Sequence, residues 1–280
     1  MPSRRCFVFA LASLAVPAAT GAVDVVEIAS GRLRLKGLLW KPPGPGPFPA
    51  VLFNHGSGGD DAQHTAGLTM SEAAERVGPL FVEHGYAFLY PCRRGHGLSA
   101  DQAPFIQDLL KREEAARGTE SRNRVQLGLL TTDHLDDVMA ALTFLKTVPG
   151  VDARRIAVVG QSFGGSLTLL AAERDPTLRA AVAFAAAAGS WDRSPALREL
   201  LLSAVGKTAV PIMLTQAEND YSTAPSRGLA AELERLHKPH LLKIYPPVGR
   251  TPNDGHNDFY LSVSRWEADV FGFLDKYVGR

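Results

Sequence analysis

Apolar residues cluster in short blocks along the chain, and polar, turn-forming residues separate the blocks. Continuous apolar blocks are typical of parallel strands that helices cover on both faces. Partial alternation, as in the second block, favours an antiparallel strand at a sheet edge. The pattern predicts eight strands: Val25–Ala29, Leu33–Trp40, Ala50–Phe53, Ala87–Pro91, Ile156–Val159, Ala181–Ala185, Ile212–Leu214 and Leu241–Tyr245.

Helical spacing of apolar positions appears between most of these strands and after the last one. It predicts helices over Ser71–His84, Thr131–Lys146, Ser166–Arg174, Ala224–His237 and about 258–277. A hairpin followed by strand–helix alternation indicates an α/β fold with a mostly parallel eight-stranded sheet and helices on both faces, a three-layer sandwich. We expect "KPPGPGPFP" to link the hairpin to the third strand, because proline cannot donate to a strand ladder.

The segment Ala100–Gly128 interrupts the alternation, and it carries the mixed charges of "LLKREEAARGTESRNR". One interpretation is a solvated helix on the surface. The other is a helical cap insertion over a site at the strand ends. The two are compatible, and the sequence leaves both open.

The first 22 residues have the pattern of a secretory signal peptide. Arg4 and Arg5 precede an apolar run that is too short to span a membrane, and small residues end the segment at Ala22. We therefore expect an exported protein, periplasmic or secreted, with one domain over residues 23–280. Cys92 is then the one cysteine left, so no internal disulfide forms.

Charge and motif content exclude several classes of partner. The chain has 30 Lys and Arg against 29 Asp and Glu, so no basic excess is available for nucleic acid or an anionic membrane. There is no zinc-type spacing of histidines and acids and no phosphate-binding lysine loop, so we expect no metal and no cofactor. No signal specifies an oligomeric state.

The sequence "VVGQSFGG" contains a G-x-S-x-G pattern centred on Ser162, between a predicted strand and a predicted helix. A serine on such a tight turn is crowded, and glycines two residues before and after it relieve the crowding. We therefore interpret Ser162 as a nucleophile, and a serine nucleophile needs a base to take up its proton. His256 in "NDGHNDF" follows the last strand and is the candidate base; His55 is its rival.

The imidazole of such a base needs a carboxylate to fix its tautomer. The loop after the seventh strand offers Asp220, our choice, and Glu218. For the oxyanion we expect two backbone N–H groups, from Phe163 and from Ser57 in "NHGSGG".

At this point the chain resembles the α/β-hydrolase superfamily and, within it, the dienelactone hydrolase-like group. The resemblance rests on "FPAVLFNHGSGG", "YPCRRGHGLS", "VVGQSFGG", "ENDYSTAP" and "DGHNDF". It implies a serine hydrolase acting on a small-molecule ester through an acyl-enzyme. True dienelactone hydrolases carry cysteine where this chain has Ser162, and they lack an obvious counterpart of the Ala100–Gly128 segment. Both departures favour ordinary ester cleavage.

Three further side chains are candidates for substrate binding. Arg93 or Arg94 would hold a substrate carboxylate, unless they pair with a nearby loop, and Trp191 would line an acyl or alcohol pocket. Two other functions remain open: a prolyl-peptidase-like serine peptidase, and a non-catalytic binding protein on a hydrolase fold.

Overall fold

The computed structural model describes residues 23–58 and 67–279, and its centre is one eight-stranded sheet. The strand order is β1-β2-β4-β3-β5-β6-β7-β8, with β1, β2 and β4 paired antiparallel and the remaining pairs parallel. The strands are β1 Val23–Ser30, β2 Leu33–Trp40, β3 Phe48–Asn54, β4 Ala87–Pro91, β5 Val151–Gln161, β6 Ala180–Phe184, β7 Ile212–Ala217 and β8 His240–Tyr245. The predicted mostly parallel α/β sheet is confirmed.

One expectation about the proline-rich linker is wrong. Pro49 lies inside β3, two residues before the apolar centre of that strand. The ladder between β3 and β5 shifts register between Phe48 and Ala50, so the missing N–H of Pro49 falls at an irregularity of the ladder.

Helices cover both faces of the sheet. On one face α1 and α9 pack with an aromatic-rich cluster, and on the other α2 to α6 pack with an aliphatic cluster. The helices are α1 Met70–Glu83, α2 Ile106–Thr131, α3 Asp133–Thr147, α4 Phe163–Arg174, α5 Pro195–Lys207, α6 Ala224–Arg235, α7 Pro252–His256, α8 Asp258–Leu261 and α9 Val263–Tyr277.

The segment that interrupts the predicted alternation forms α2, which bends at Gly118, where φ is 81°. Only a few of its side chains are buried, in agreement with its mixed charges. The predicted helix over about 258–277 is divided into α8 and α9 at Ser262.

Three further expectations concern the signal peptide, membrane-spanning helices and metal sites. The predicted signal peptide, residues 1–22, lies outside the described residues. Within the part of the chain that is described, no helix is long and apolar enough to cross a membrane. The same residues contain no group of three His, Cys, Asp or Glu side chains placed to hold a metal ion.

The first turn of α4 packs directly against the carboxyl end of β3. A Cβ atom at Gly164 would collide with the carbonyl oxygens of Asn54 and His55. The side chains of Asn54 and Thr168 join the same two elements through a buried hydrogen bond of 2.9 Å. A residue larger than glycine at position 164 would therefore force α4 away from β3.

A buried arginine holds the loop that follows β3. Arg93 donates from its NH2 group to the carbonyl oxygens of His55 at 2.7 Å and Gly56 at 2.8 Å. Its backbone N–H donates to His55 Nε2 at 3.1 Å, so His55 carries its proton on Nδ1 and donates it to the Gly56 carbonyl at 2.7 Å. Burial lowers the pKa of Arg93 to about 10, so the guanidinium stays charged at neutral pH.

Three histidine rings pack beside this guanidinium. The rings of His55 and His96 lie 4.8 Å apart, and those of His96 and His134 lie 5.7 Å apart. Burial first, and then the charge of Arg93, lowers the pKa of all three, to about 4 for His96. The folded protein therefore holds them neutral.

We predict that Gly164→Ala destabilises the protein by about 3 kcal/mol or more, because the added methyl group meets backbone rather than a movable side chain. Gly272→Ala is the matched control: Gly272 is exposed in α9 and its Cβ would meet nothing within 4 Å. That change should stabilise by roughly 0.5–1 kcal/mol. Urea unfolding measures both, and equal effects would contradict the packing described for α4.

We also predict a loss of stability in mild acid. The unfolded chain protonates His96 near its ordinary pKa of 6.5, whereas folding lowers that pKa to about 4. The free energy of unfolding therefore falls as pH drops from 6.5 to 4, by about 3 kcal/mol for this residue. Unfolding curves at pH 7 and 4.5 should show a smaller drop for His96→Phe. They should show the wild-type drop for His237→Asn at an exposed position.

Candidate active site

Ser162 lies on the turn between β5 and α4 in a backbone conformation that side chains rarely adopt. Its φ is 59° and its ψ is −120°. Its N–H donates to the Phe184 carbonyl at 2.8 Å, which ties the turn to β6. A Cβ atom at Gly160 would collide with the Gly164 carbonyl oxygen and with Thr168 Oγ1. The glycines on each side of Ser162 therefore permit both the turn and the close packing beneath it.

His256 is the last residue of the short helix α7. A capping box of Thr251 and Asp254 starts this helix: Thr251 Oγ1 accepts from the Asp254 N–H and the Asp254 carboxylate accepts from the Thr251 N–H. Gly255 lies so close to Asn219 that a Cβ atom there would be 2.7 Å from its carbonyl carbon. The structure thereby brings His256 Nε2 to 2.8 Å from Ser162 Oγ.

Asp220 lies on the other side of the imidazole. Its Oδ1 is 2.8 Å from His256 Nδ1, and its side chain is fully buried. Gln216 Nε2 donates to Oδ2 at 2.7 Å, and the Tyr221 N–H donates to Oδ1 at 2.6 Å. Because the Asp220 carboxylate accepts, His256 Nδ1 carries the proton that it donates to Asp220. The lone pair of His256 Nε2 therefore faces Ser162 Oγ. Glu218, the alternative acid, is exposed.

His55, the rival base, makes no hydrogen bond to Ser162. Its two ring nitrogens are used by the Gly56 carbonyl and the Arg93 N–H. The structure therefore brings together Ser162, His256 and Asp220, and it places His55 in the support of the neighbouring loop.

The predicted oxyanion donors, the N–H groups of Ser57 and Phe163, lie beside the serine, and both residues line a cavity with Ser162. Neither N–H donates to an acceptor among the described residues. Arg93 binds the Gly56 carbonyl, and in a trans peptide this directs the Ser57 N–H to the opposite side. Gln107 of α2 donates to Ser57 Oγ at 2.7 Å. Arg93 and Gln107 thus hold the loop from two sides, and the Ser57 N–H remains available to bind an oxyanion.

Two cavities meet at Ser162, and His256 and Tyr221 line both. One, of about 320 Å³, extends towards Asn253. The other, of about 170 Å³, lies between α2, α4 and the segment after β6. We call it the α2 cavity. Its lining includes side chains that the sequence reasoning did not single out: Gln107, Arg122, Gln126, Ser166 and Arg193.

The three predicted substrate-binding side chains lie elsewhere. Arg93 is buried and holds the loop after β3, and Arg94 binds Asp137 through Nε at 2.9 Å and NH2 at 2.7 Å. Trp191 is buried in the aliphatic cluster. None of the three is among the residues that line the two cavities at Ser162.

Several solved structures of similar fold are hydrolases. The acylaminoacyl peptidase of Pyrococcus horikoshii superposes with a TM-score of 0.64 at 18% identity; the match covers 94% of this chain but 42% of that one. The esterase Est22 gives 0.65 at 16% identity, covering 92% of this chain and 82% of that one. The dienelactone hydrolase of Anabaena variabilis gives 0.59 at 21% identity, covering 93% and 100%. At these identities the likeness establishes the α/β-hydrolase fold.

The sequence itself matches the dienelactone hydrolase family over residues 35–251, which is most of the chain. The matched range begins in β2 and includes Ser162 and Asp220, and it ends just before α7. The chain therefore belongs to the dienelactone hydrolase family of α/β-hydrolases.

Proposed function

We propose that the protein is a serine hydrolase that cleaves a carboxylic ester through an acyl-enzyme intermediate. One observation carries the proposal: Ser162 Oγ, the His256 ring and the Asp220 carboxylate form a continuous chain with 2.8 Å at each junction. Family membership supports hydrolase chemistry, and the three residues supply a nucleophile, a base and an orienting acid.

In the first half of the reaction, Ser162 Oγ attacks the ester carbonyl while His256 Nε2 accepts its proton. Asp220 stabilises the imidazolium that forms, since its Oδ1 accepts from Nδ1. The negative charge that develops on the carbonyl oxygen is stabilised by the N–H groups of Ser57 and Phe163. Because Phe163 is the first residue of α4, its N–H also carries the favourable field of the helix N-terminus.

The tetrahedral intermediate then collapses, and His256 donates its proton to the leaving alcohol. Water then enters, loses a proton to His256 and attacks the acyl carbonyl. The second tetrahedral intermediate collapses as His256 returns that proton to Ser162 Oγ, and the carboxylic acid is released. The two cavities that meet at Ser162 provide space for the acyl and alcohol parts of the ester on either side of the reacting carbonyl.

The test of this proposal is labelling by a fluorophosphonate and turnover of p-nitrophenyl butyrate. We expect Ser162→Ala to lose the label and to reduce kcat at least about a thousandfold, because the nucleophile is removed. Ser166→Ala is the matched control, since Ser166 is a buried serine that lines the same cavity. It should keep the label. A p-nitroanilide of an N-acylated amino acid, run in parallel, distinguishes ester from peptide cleavage. A folded wild type that neither labels nor turns over would contradict the proposal.

The acid is tested by a second pair of variants. Asp220→Asn should lower kcat by roughly 10³–10⁴-fold, because an amide in its place favours the wrong imidazole tautomer. Glu218→Gln should leave kcat within about twofold, since Glu218 is exposed and makes no contact with His256. The measurement is kcat for p-nitrophenyl butyrate at pH 8. The reverse ranking would assign the orienting role to Glu218.

A further inference from the structure

The carbonyl oxygen of His256 is bound by a side chain from the end of β5. His256 is the last residue of α7, and the last carbonyls of a helix have no partner within it. The Asn257 N–H serves carbonyls earlier in α7, and no backbone N–H of the described residues donates to that of His256. Gln161 Nε2 donates to it at 2.8 Å. A carbonyl oxygen can only accept, so the NH2 group of Gln161 faces His256.

Gln161 is the residue directly before Ser162. It ends β5, where it pairs with Phe184 of β6, and it is only 2% exposed. The next N–H along the chain, that of Ser162, donates to the Phe184 carbonyl. The side chains of Gln161 and Ser162 therefore extend from a stretch of backbone that the sheet holds in place.

Two hydrogen bonds join this stretch of backbone to His256. Gln161 binds the carbonyl oxygen of His256, and Ser162 Oγ lies 2.8 Å from its Nε2. Together they close a ring that passes through the main chain of residues 161–162 and through the backbone and side chain of His256. Asp220, which binds Nδ1, fixes the rotation of the imidazole. The contact with Gln161 fixes the backbone from which the imidazole extends.

The loop after β3 packs against the side-chain amide of Gln161. A Cβ atom at Gly56 would lie 2.7 Å from Gln161 Oε1. Glycine at this position therefore leaves room for the amide. Because Arg93 binds the Gly56 carbonyl, the backbone that faces the amide is itself held in place. The amide of Gln161 thus has the loop on one side and the His256 carbonyl on the other.

We propose that Gln161 is a positioning residue, which holds the backbone of His256 so that Nε2 stays within hydrogen-bond distance of Ser162 Oγ during each proton transfer. This inference rests on the proposed function and adds a residue to its machinery. A neutral amide suits the role, because it donates to the carbonyl without placing a second charge beside the imidazolium. A misplacement of about 1 Å at an active site can reduce the rate by roughly a hundredfold.

The test removes the donor and keeps the length of the side chain. In Gln161→Met, kcat for p-nitrophenyl butyrate at pH 8 should fall by about 10–100-fold. KM should stay within about twofold, since proton transfer is misaligned while the cavities that bind the ester are kept. Gln161→Glu is a second variant of the same size. Its carboxylate cannot donate and repels the carbonyl oxygen of His256, so kcat should fall at least as far. Either variant carries the test if the other does not fold.

Thr208→Val is the matched control for lost stability. Thr208 Oγ1 donates to the Ala172 carbonyl of α4 at 2.7 Å, so this change also removes a side-chain donor to a helix carbonyl. Ala172 lies ten residues beyond Ser162, about 15 Å along the helix. We expect Thr208→Val to lower the midpoint of urea unfolding, as Gln161→Met does, and to keep kcat within about twofold. If Gln161→Met also keeps kcat within twofold, its role is structural alone and the inference is overturned.

A spectroscopic measurement without substrate separates the two proposals. The proton that His256 Nδ1 donates to Asp220 gives a downfield proton NMR resonance, which His256→Ala identifies by removing it. In Gln161→Met this resonance should broaden or vanish, because a displaced imidazole exposes the proton to exchange with water; in Thr208→Val it should remain. A wild type without esterase activity, but with a resonance that depends on Gln161, would overturn the proposed function alone. An active enzyme in which Gln161→Met changes neither kcat nor the resonance would overturn the positioning role alone.

Discussion

The close approach of α4 to the carboxyl end of β3 is the constraint on which the rest of the site depends. Gly164 lies against the carbonyls of Asn54 and His55, so the turn that carries Ser162 is fixed to the strand whose loop carries Ser57. In this close packing Ser162 has a φ of 59°. Such a conformation costs of the order of 1–3 kcal/mol and persists because the surrounding structure holds it. Ser162 and the candidate oxyanion amides are thereby held close to one another.

The partners of the serine reach it through two further close contacts. Gly255 lets α7 pack onto the loop after β7, so His256 and Asp220 come from adjacent sheet connections. Buried Arg93 gathers the carbonyls of the loop after β3, with three neutral histidines packed beside it. The Arg93 guanidinium therefore binds backbone carbonyls of the loop after β3. Arg122 and Arg193, by contrast, line the α2 cavity.

Much of this follows from the sequence, because the determining signals are local. The apolar blocks predict eight strands. Three side chains that the structure brings together were located by local signals: Ser162 by its flanking glycines, and His256 and Asp220 by their places after strands. The cavity lining was not predictable in the same way. "RRGHG" and "SRNR" both offer arginines, and only the direction of each side chain in the packed fold separates Arg93, turned inward, from Arg122, at the cavity. The short helix α7 lacks the length for a periodic signal.

The most direct measurement is mass spectrometry of the protein quenched within milliseconds of mixing with p-nitrophenyl butyrate, followed by peptide mapping. The account predicts a transient mass increase of one butyryl group on the peptide that contains Ser162, with fragmentation placing it on that serine. Butyryl transfer to Ser166 or to any other side chain, or turnover with no acylated species in the wild type and in Asp220→Asn, would contradict it.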